Sequence, residues 1–287
     1  PQFPPDCTIR VEGTPLPART GESVAEALLA AGRPLLSRSV KYHRPRGAFC
    51  LRGSCGSCMM RIDGVPNQRA CRTLCHDGLD ARQQNVFPSA EHDFFGAIDW
   101  LFPGGLEHHT LMVQSTVANE AAQRVARQLA GLGTLPTEPA AALAGALRET
   151  YDAAVIGGGP AGLAAAETLA NGGQRALLID QDRAWGGRLR CRLELPGDPP
   201  LSWATNAAHA VLKAGGKALL ASQAIGIWSE NGRPLLGVVT QGEAPRLRLV
   251  TAGRLVICTG GNPQPPAFEN NDLPGIFSGR GLALAYA

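Results

Sequence analysis

The chain has little net charge, few aromatic side chains and no long apolar run, and each shortage removes a class of function. Lys and Arg number 27 against 24 Asp and Glu, a formal balance of +3, too small to argue for a nucleic-acid surface. Aromatic residues are 5% of the 287, and no basic helix interleaved with aromatics occurs. No stretch of about 18 apolar residues is present, so no membrane span is expected. The opening PQFPPDCTIR lacks the basic-then-apolar order of a signal peptide, and no initiator Met precedes it, which implies trimming or incomplete coverage at the front. Eight cysteines without a disulfide-like framework fit a reducing cytoplasm, the expected location. With 44% hydrophobic residues, about two packed domains are expected.

Four of those cysteines dominate the reading. Cys50, Cys55 and Cys58 are spaced C-x4-C-x2-C, and Cys71 follows in CLRGSCGSCMMRIDGVPNQRAC. This is the plant-type spacing that holds a [2Fe–2S] cluster on thiolates. A cluster gripped by three nearby thiolates needs a closely curled backbone, and Gly53 and Gly56 supply turns that a Cβ would obstruct. MMRIDGVPNQRA reads as a strand, an Asp63-Gly64 turn and a return strand, which carries the fourth thiolate back. A closed zinc site is the rival, although structural zinc usually arrives on two CxxC-like knuckles. Cys7, Cys75, Cys191 and Cys258 read as buried or inert thiols, but Cys75 stands close enough to Cys71 that a shifted ligand set stays open. Immediately before Cys50, SVKYHRPRGAF carries Lys41, His43, Arg44 and Arg46, readable as a solvated loop, as a docking surface for an acidic partner, or as positive potential beside the cluster.

Upstream, strands are expected over Thr8 to Val11 and Pro15 to Arg19, then a helix opened by Ser23 with Glu26 at the capping-box position and closed by Gly32. A hairpin, a helix and then the cysteine loop is the order of a β-grasp ferredoxin, expected over residues 1–90. Residues 91–150 read as a connector, with a helix from Asn119 to Ala130 and an alanine- and proline-rich tail that is partly flexible. His108 and His109 are adjacent, so they share no face and make an improbable metal pair.

The second signature is YDAAVIGGGPAGLAAAETLANGGQRALLIDQD from Tyr151. An apolar strand, Ala153 to Ile156, runs into Gly157, Gly159 and Gly162, then a helix and a second strand ending at Asp180. With this βαβ context the glycine pattern is a dinucleotide fingerprint. Gly157 allows the tight turn, Gly159 admits the pyrophosphate, and Gly162 with Ala166 lets helix and strand pack, leaving phosphates at a helix N-terminus. Asp180 is placed to accept from a ribose diol and to repel a 2′-phosphate. Further on, Ala224 to Trp228, Leu235 to Thr240 and Arg246 to Thr251 read as a three-stranded meander, with Asn231-Gly232 as a turn. A buried strand, Arg254 to Cys258, then ends at Thr259-Gly260-Gly261.

GGGPAGLAAAETLANGG and VICTGGNPQPPAFENNDLPGIF resemble the fingerprint and Thr-Gly motif of two-dinucleotide-fold flavoproteins. More narrowly, SRSVKYHRPRGAFC, LFPGGLEHHTLM, the AGLG near Gly131 and WGGRL at Trp185 to Leu189 resemble the α subunit of heterotetrameric sarcosine oxidase and related amino-acid dehydrogenases, over nearly the whole chain. The cysteine loop is similar to that of opine and hydroxyproline dehydrogenases and hydrogen cyanide synthase. In sarcosine oxidase itself the family pattern has no cluster, so retention of four ligands favours a dehydrogenase over a peroxide-producing oxidase.

The resemblance implies a β-grasp ferredoxin-like domain followed by a Rossmann-like FAD or NAD domain over 151–287, incomplete at its C-terminus and completed by a missing half or a second polypeptide. It groups Pro160, Ala161, Gly187, Arg188, Thr259 and Gly260 with the fingerprint glycines and Asp180 at the dinucleotide, FAD rather than NAD, and places FMN at a subunit interface. It implies a flavin-containing β subunit, small subunits, and a protein or quinone electron acceptor. No residue here forms an acid/base pair for amine oxidation, so no catalytic residue is assigned. Rival readings are an NAD(P)H-dependent ferredoxin-type reductase, a subunit of a hydrogen cyanide synthase-like glycine dehydrogenase, and a non-catalytic structural subunit.

Overall fold

A computed structural model describes residues 4–39, 42–97, 115–129, 145–191, 197–241 and 245–285. His108, His109 and residues 134–144 of the alanine- and proline-rich tail lie outside the described residues, while Leu147–Thr150, read as the end of that tail, already belong to a strand of the second unit. The chain divides into two units, one of Pro1–Pro139 with Pro263–Ala285, the other of Ala140–Asn262 with Tyr286–Ala287.

In the first unit the hairpin β1 (Cys7–Val11) and β2 (Thr14–Ala18) precedes helix α1 (Val24–Ala30). Ser23 and Glu26 form the reciprocal capping box, with Ser23 Oγ accepting from Glu26 N at 3.2 Å and Glu26 Oε2 accepting from Ser23 N at 2.8 Å. Two short strands, β3 (Ser37–Arg38) and β4 (Pro45–Arg46), flank the basic loop, and β5 (Met59–Ile62), β6 (Val65–Arg69) and β7 (Asp80–Arg82) complete the set. The five-stranded sheet runs β2-β1-β7-β5-β6, with β1 and β7 parallel and the remaining pairs antiparallel. This is the ferredoxin-like β-grasp order. Alternation along β1 buries Cys7, Ile9 and Val11 against Val24, Ala25, Ala27 and Leu28 of α1, the period-2 face meeting the helical stripe. The connector helix, α2 (Thr116–Leu129), starts three residues before the expected Asn119.

The second unit is a six-stranded sheet in the order β10-β9-β8-β13-β12-β11. Strands β8 (Leu147–Ile156), β9 (Ala176–Ile179) and β10 (Lys217–Leu219) are parallel; β11 (Ser222–Glu230), β12 (Arg233–Thr240) and β13 (Arg246–Ile257) form the antiparallel meander. All four residues of β9 are buried. Ala176 and Leu178 pack towards helices α3 (Pro160–Asn171) and α4 (Leu201–Lys213), while Leu177 and Ile179 join Tyr151, Leu236 and Val250 in a second cluster. A continuous apolar run of this kind is what a parallel strand covered on both faces requires.

Sequence reading split Arg246 to Thr251 from Arg254 to Cys258, but the structure makes one strand of them. β13 runs through Gly253, and its parallel register with β8 extends from Arg248 opposite Leu147 to Ile257 opposite Ile156. A Cβ at Gly253 would stand 2.7 Å from the Asp152 carbonyl oxygen, so this glycine marks a close backbone approach inside the ladder, where a strand break had been read.

Candidate functional site

The cysteine loop begins at Phe49 and ends where Cys58 enters β5. Leu51, Gly53 and Gly56 take positive φ values of 51°, 82° and 68°. Gly53 has a second reason to be glycine, since a Cβ would stand 2.8 Å from Arg72 Cγ. Pairing of Met59 with Arg69 closes the β5–β6 hairpin, and Ala70 N donates to the Cys58 carbonyl at 2.9 Å. The hairpin returns Cys71 beside Cys58, and α1 holds that return, Ala25 N donating to the Ala70 carbonyl at 3.1 Å and Val24 N to the Thr73 carbonyl at 2.9 Å.

Backbone amides aim at the sulfurs. Cys50 Sγ accepts from Ser54 N at 3.1 Å and Cys55 N at 3.4 Å, and Cys55 Sγ accepts from Ser57 N at 3.4 Å. The thiols of Cys50, Cys55, Cys58 and Cys71 are close enough to shift one another's titration. Its neighbours Cys55 and then Cys71 pull the Cys50 thiol far down, whereas Cys50, Cys58 and burial push the Cys71 thiol up. Cys50, Cys58 and Cys71 are buried and Cys55 is exposed. Among the described residues no three His, Cys, Asp or Glu side chains close on a single ion. Thiols that receive backbone amide donors are a donor set of the kind that holds an iron–sulfur cluster.

Cys75 differs from these four. Burial raises its thiol, with Glu22 and then Cys7 adding to the effect, to about 12, and its N–H donates to the Glu22 carbonyl at 2.8 Å. It shares a core with Cys7, Cys58 and Cys71, and its raised thiol makes it a poorer source of thiolate.

The basic loop is engaged by this chain's own Asp272. Arg44 Nε and Nη2 donate to the Asp272 carboxylate at 2.8 and 2.7 Å, and Arg46 Nη1 lies 3.1 Å from it. His43 is buried, with Nδ1 2.9 Å from Asp93 Oδ2. Arg44 and Arg46 are thus paired with a carboxylate that sequence separation concealed.

In the dinucleotide unit the glycine turn is defined by what a Cβ would strike. At Gly157, where φ is 111°, it would lie 2.2 Å from the Cys258 carbonyl oxygen; at Gly162, 1.8 Å from the Gly157 carbonyl oxygen. At Gly159 nothing lies within 4 Å. The first two glycines thus let backbone pack on backbone, and the third leaves open space at the start of α3. That start has Pro160 in its first turn and no side-chain cap, so Ala161 and its neighbours follow an N-terminus free of a competing side chain.

Asp180 accepts from Gly158 N and, at 2.7 Å, from Asp182 N. It ties the turn to the end of β9, a role not read from sequence; a carboxylate's four acceptor positions are compatible with a ribose hydroxyl as well. Trp185 packs over Gly158, Gly186 N donates to the Gly158 carbonyl at 2.8 Å, and a Cβ at Gly187 would stand 2.9 Å from Gly159 Cα. Thr259 follows Cys258 over Gly157, and Gly260 has φ of 69°. Arg188 forms a two-pronged ion pair with Asp198, through Nη1 at 2.6 Å and through Nη2. Gly157, Gly159, Gly162, Asp180, Gly187 and Thr259 are therefore brought together, while Arg188 is committed to a carboxylate. Trp185 and the Cys258 backbone were missed as site residues; WGGRL and the Thr-Gly motif were the signals that could have found them.

The family descriptions follow this division. Residues 5–86 match the 2Fe-2S iron-sulfur cluster binding domain, and residues 151–286 match pyridine nucleotide-disulphide oxidoreductase. The chain is 30% identical over 290 aligned residues to the sarcosine oxidase subunit alpha of Rhizobium meliloti, covering 93% of this chain and 29% of that subunit. Hydrogen cyanide synthase subunit HcnA of Pseudomonas aeruginosa is 40% identical over 87 residues, 30% of this chain and 83% of that subunit. L-proline dehydrogenase from P. horikoshii superposes with a TM-score of 0.66 at 26% identity, covering 94% of this chain and 44% of that one. The chain spans 25–29% of the length of the sarcosine oxidase alpha subunits it matches. These domains are those of a [2Fe–2S] and FAD oxidoreductase. The chain is accordingly a homologue of the sarcosine oxidase α subunits, built from a 2Fe–2S ferredoxin-like domain and a pyridine nucleotide-disulphide oxidoreductase domain.

Proposed function

We propose that this chain is the electron-transfer part of a multi-subunit, flavin-dependent dehydrogenase acting on the CH–NH bond of a secondary or N-methyl amino acid. The observation that carries the reading is the assembly of Cys50, Cys55, Cys58 and Cys71 by one loop and one hairpin. These four are the cluster ligands in this reading, two thiolates per iron. A bound flavin would supply acceptance of a hydride equivalent from a carbon beside nitrogen, and a [2Fe–2S] centre on these thiolates would supply one-electron transfer. That one-electron relay favours a dehydrogenase over an oxidase that reduces oxygen at its flavin.

The protein's own contribution is to hold and tune. Ser54, Cys55 and Ser57 amides stabilise thiolate charge. Gly159, with the first-turn amides after Pro160 and Ala161, receives the FAD pyrophosphate, and Asp180 faces its ribose. Gly187, Thr259 and Gly260 border the cofactor; Arg188 does so only if it leaves Asp198. Substrate oxidation belongs to a flavin-bearing β subunit, with FMN at a subunit interface, and a protein or quinone takes the electrons. The eight free thiols fit a cytoplasmic setting.

The 40% identity over 87 residues to a hydrogen cyanide synthase subunit supports the rival reading of a hydrogen cyanide synthase-like glycine dehydrogenase, a second substrate class. A purified complex decides among these readings by visible and paramagnetic-resonance spectra with nucleotide extraction. Rapid bleaching by N-methyl or cyclic amino acids is the expected result. Bleaching by glycine alone supports the second class, and bleaching by NADH alone overturns both in favour of a reductase.

A further inference from the structure

Pro263–Ala285 packs in the ferredoxin unit, and its path ends on Cys50. Asp272 grips Arg44 and Arg46. Two residues on, Pro274 fits against Gly47, where a Cβ would meet Pro274 Cβ at 3.1 Å. Phe277 packs on the core that contains Cys58 and Cys71. Ser278 is buried, and its N–H donates to the Phe49 carbonyl at 3.0 Å. In the short helix α5 (Gly279–Ala285), a Cβ on Gly281 would stand 2.5 Å from the Cys50 carbonyl oxygen and 2.8 Å from both Cys50 C and Ser278 Oγ. Gly281 N donates to Ser278 Oγ at 3.0 Å, which holds the two residues in one arrangement.

Phe49 O and Cys50 O belong to the two peptide units on either side of Cys50. Both are therefore touched from outside the loop, by Ser278 and by Gly281. The loop needs such support, because Leu51, the next residue, has φ of 51° without being glycine. A side-chain-bearing residue in that region persists where surrounding structure determines it.

We propose that Pro263–Ala285 is a positioning strap for the [2Fe–2S] cluster, in which Ser278 and Gly281 fix the backbone of Cys50 and so hold its sulfur on iron. The inference rests on the reading of Cys50 as a ligand. It adds two positioning residues some 230 positions away in sequence, and it explains why the basic loop carries Arg44 and Arg46: they anchor the strap through Asp272. Groups that orient a metal ligand from behind alter retention and electronic structure of the metal without touching it.

The test uses the chain purified with whatever subunits accompany it. Gly281→Ala is compared with Gly279→Ala on the same helix, where an added methyl meets nothing within 4 Å. Gly281→Ala should change the paramagnetic-resonance and visible circular-dichroism spectra of the reduced cluster and speed cluster loss to an iron chelator on the order of tenfold. Gly279→Ala should match wild type. Asp272→Asn, remote from Cys50, should speed loss by a smaller factor, and it decides the matter if Gly281→Ala does not fold. Identical spectra and loss rates in Gly281→Ala and Gly279→Ala, or no change in Asp272→Asn where Gly281→Ala cannot be made, overturn the strap. Wild-type protein that gives no cluster signal after anaerobic reduction overturns the ligand reading itself, and the strap with it.

Discussion

Two cysteines in this chain lie four positions apart and have opposite fates. Cys71 is delivered to Cys50 and Cys58 by the β5–β6 hairpin, while Cys75 is buried beside Glu22 and Cys7 with its thiol held up at about 12. A thiol raised by burial is a poor source of thiolate. Cys75→Ser should therefore leave the full paramagnetic-resonance signal and cost on the order of 1 kcal/mol in unfolding free energy; loss of the signal would return Cys75 to the ligand set. The glycines of the dinucleotide turn make an equally local contrast. Gly162 has another backbone where its Cβ would be, so Gly162→Ala should lower both stability and nucleotide content. Gly159 has φ of −81° and open space, so Gly159→Ala strains nothing in the protein and blocks only a phosphate. An unchanged melting temperature with nucleotide affinity weakened on the order of tenfold is the expected pair of results for Gly159→Ala. Equal effects of the two substitutions on melting would refute the distinction.

At the scale of elements, the strap supplies a pH dependence whose sign is fixed by one carboxylate. Hydrogen bonding from Arg44 holds Asp272 below its ordinary value against a smaller opposing effect of burial, and Arg46 adds to the lowering. A depressed carboxylate contributes stability that is present above its unfolded value, near 3.9, and is lost as pH falls through the folded value. The melting temperature of wild type should thus exceed that of Asp272→Asn by a constant margin between about pH 5 and 8, and the margin should close below about pH 4. A margin unchanged at pH 3 would assign the difference to something other than this ion pair. The strap also marks where sequence reading stops. α1 was legible because Ser23 and Glu26 are three residues apart, and the cysteine loop because its ligands and returning hairpin are contiguous. Asp272 and Arg44 are joined by a bond spanning 228 positions, and no local periodicity announces it. Gly253 failed for a different reason, since a glycine inside a strand pattern has the same sequence appearance whether it breaks the strand or lets two backbones meet. Asp180 was legible as a carboxylate at a strand end, but its bond to Gly158 depends on the turn folding back, which no local pattern encodes.

At the scale of the whole molecule, each proposed cofactor has its own hydrophobic core behind it. The cysteine loop is backed by the cluster of Ile9, Leu28, Met60 and Leu79, and the glycine turn by Val155, Leu163, Ala166 and Leu178. Neither core borrows a residue from the other unit, because every member of each lies within its own unit. Separate cores mean that the loss of one cofactor removes ligand-linked stabilisation from one unit only. Cys58→Ser should therefore abolish the cluster signal and leave the extracted nucleotide within about 20% of wild type, an allowance for preparation rather than for coupling. Conversely, Gly162→Ala should deplete nucleotide while the reduced-cluster spectrum keeps its wild-type shape. Parallel loss of both cofactors in both variants would mean that the two units fold as one cooperative body.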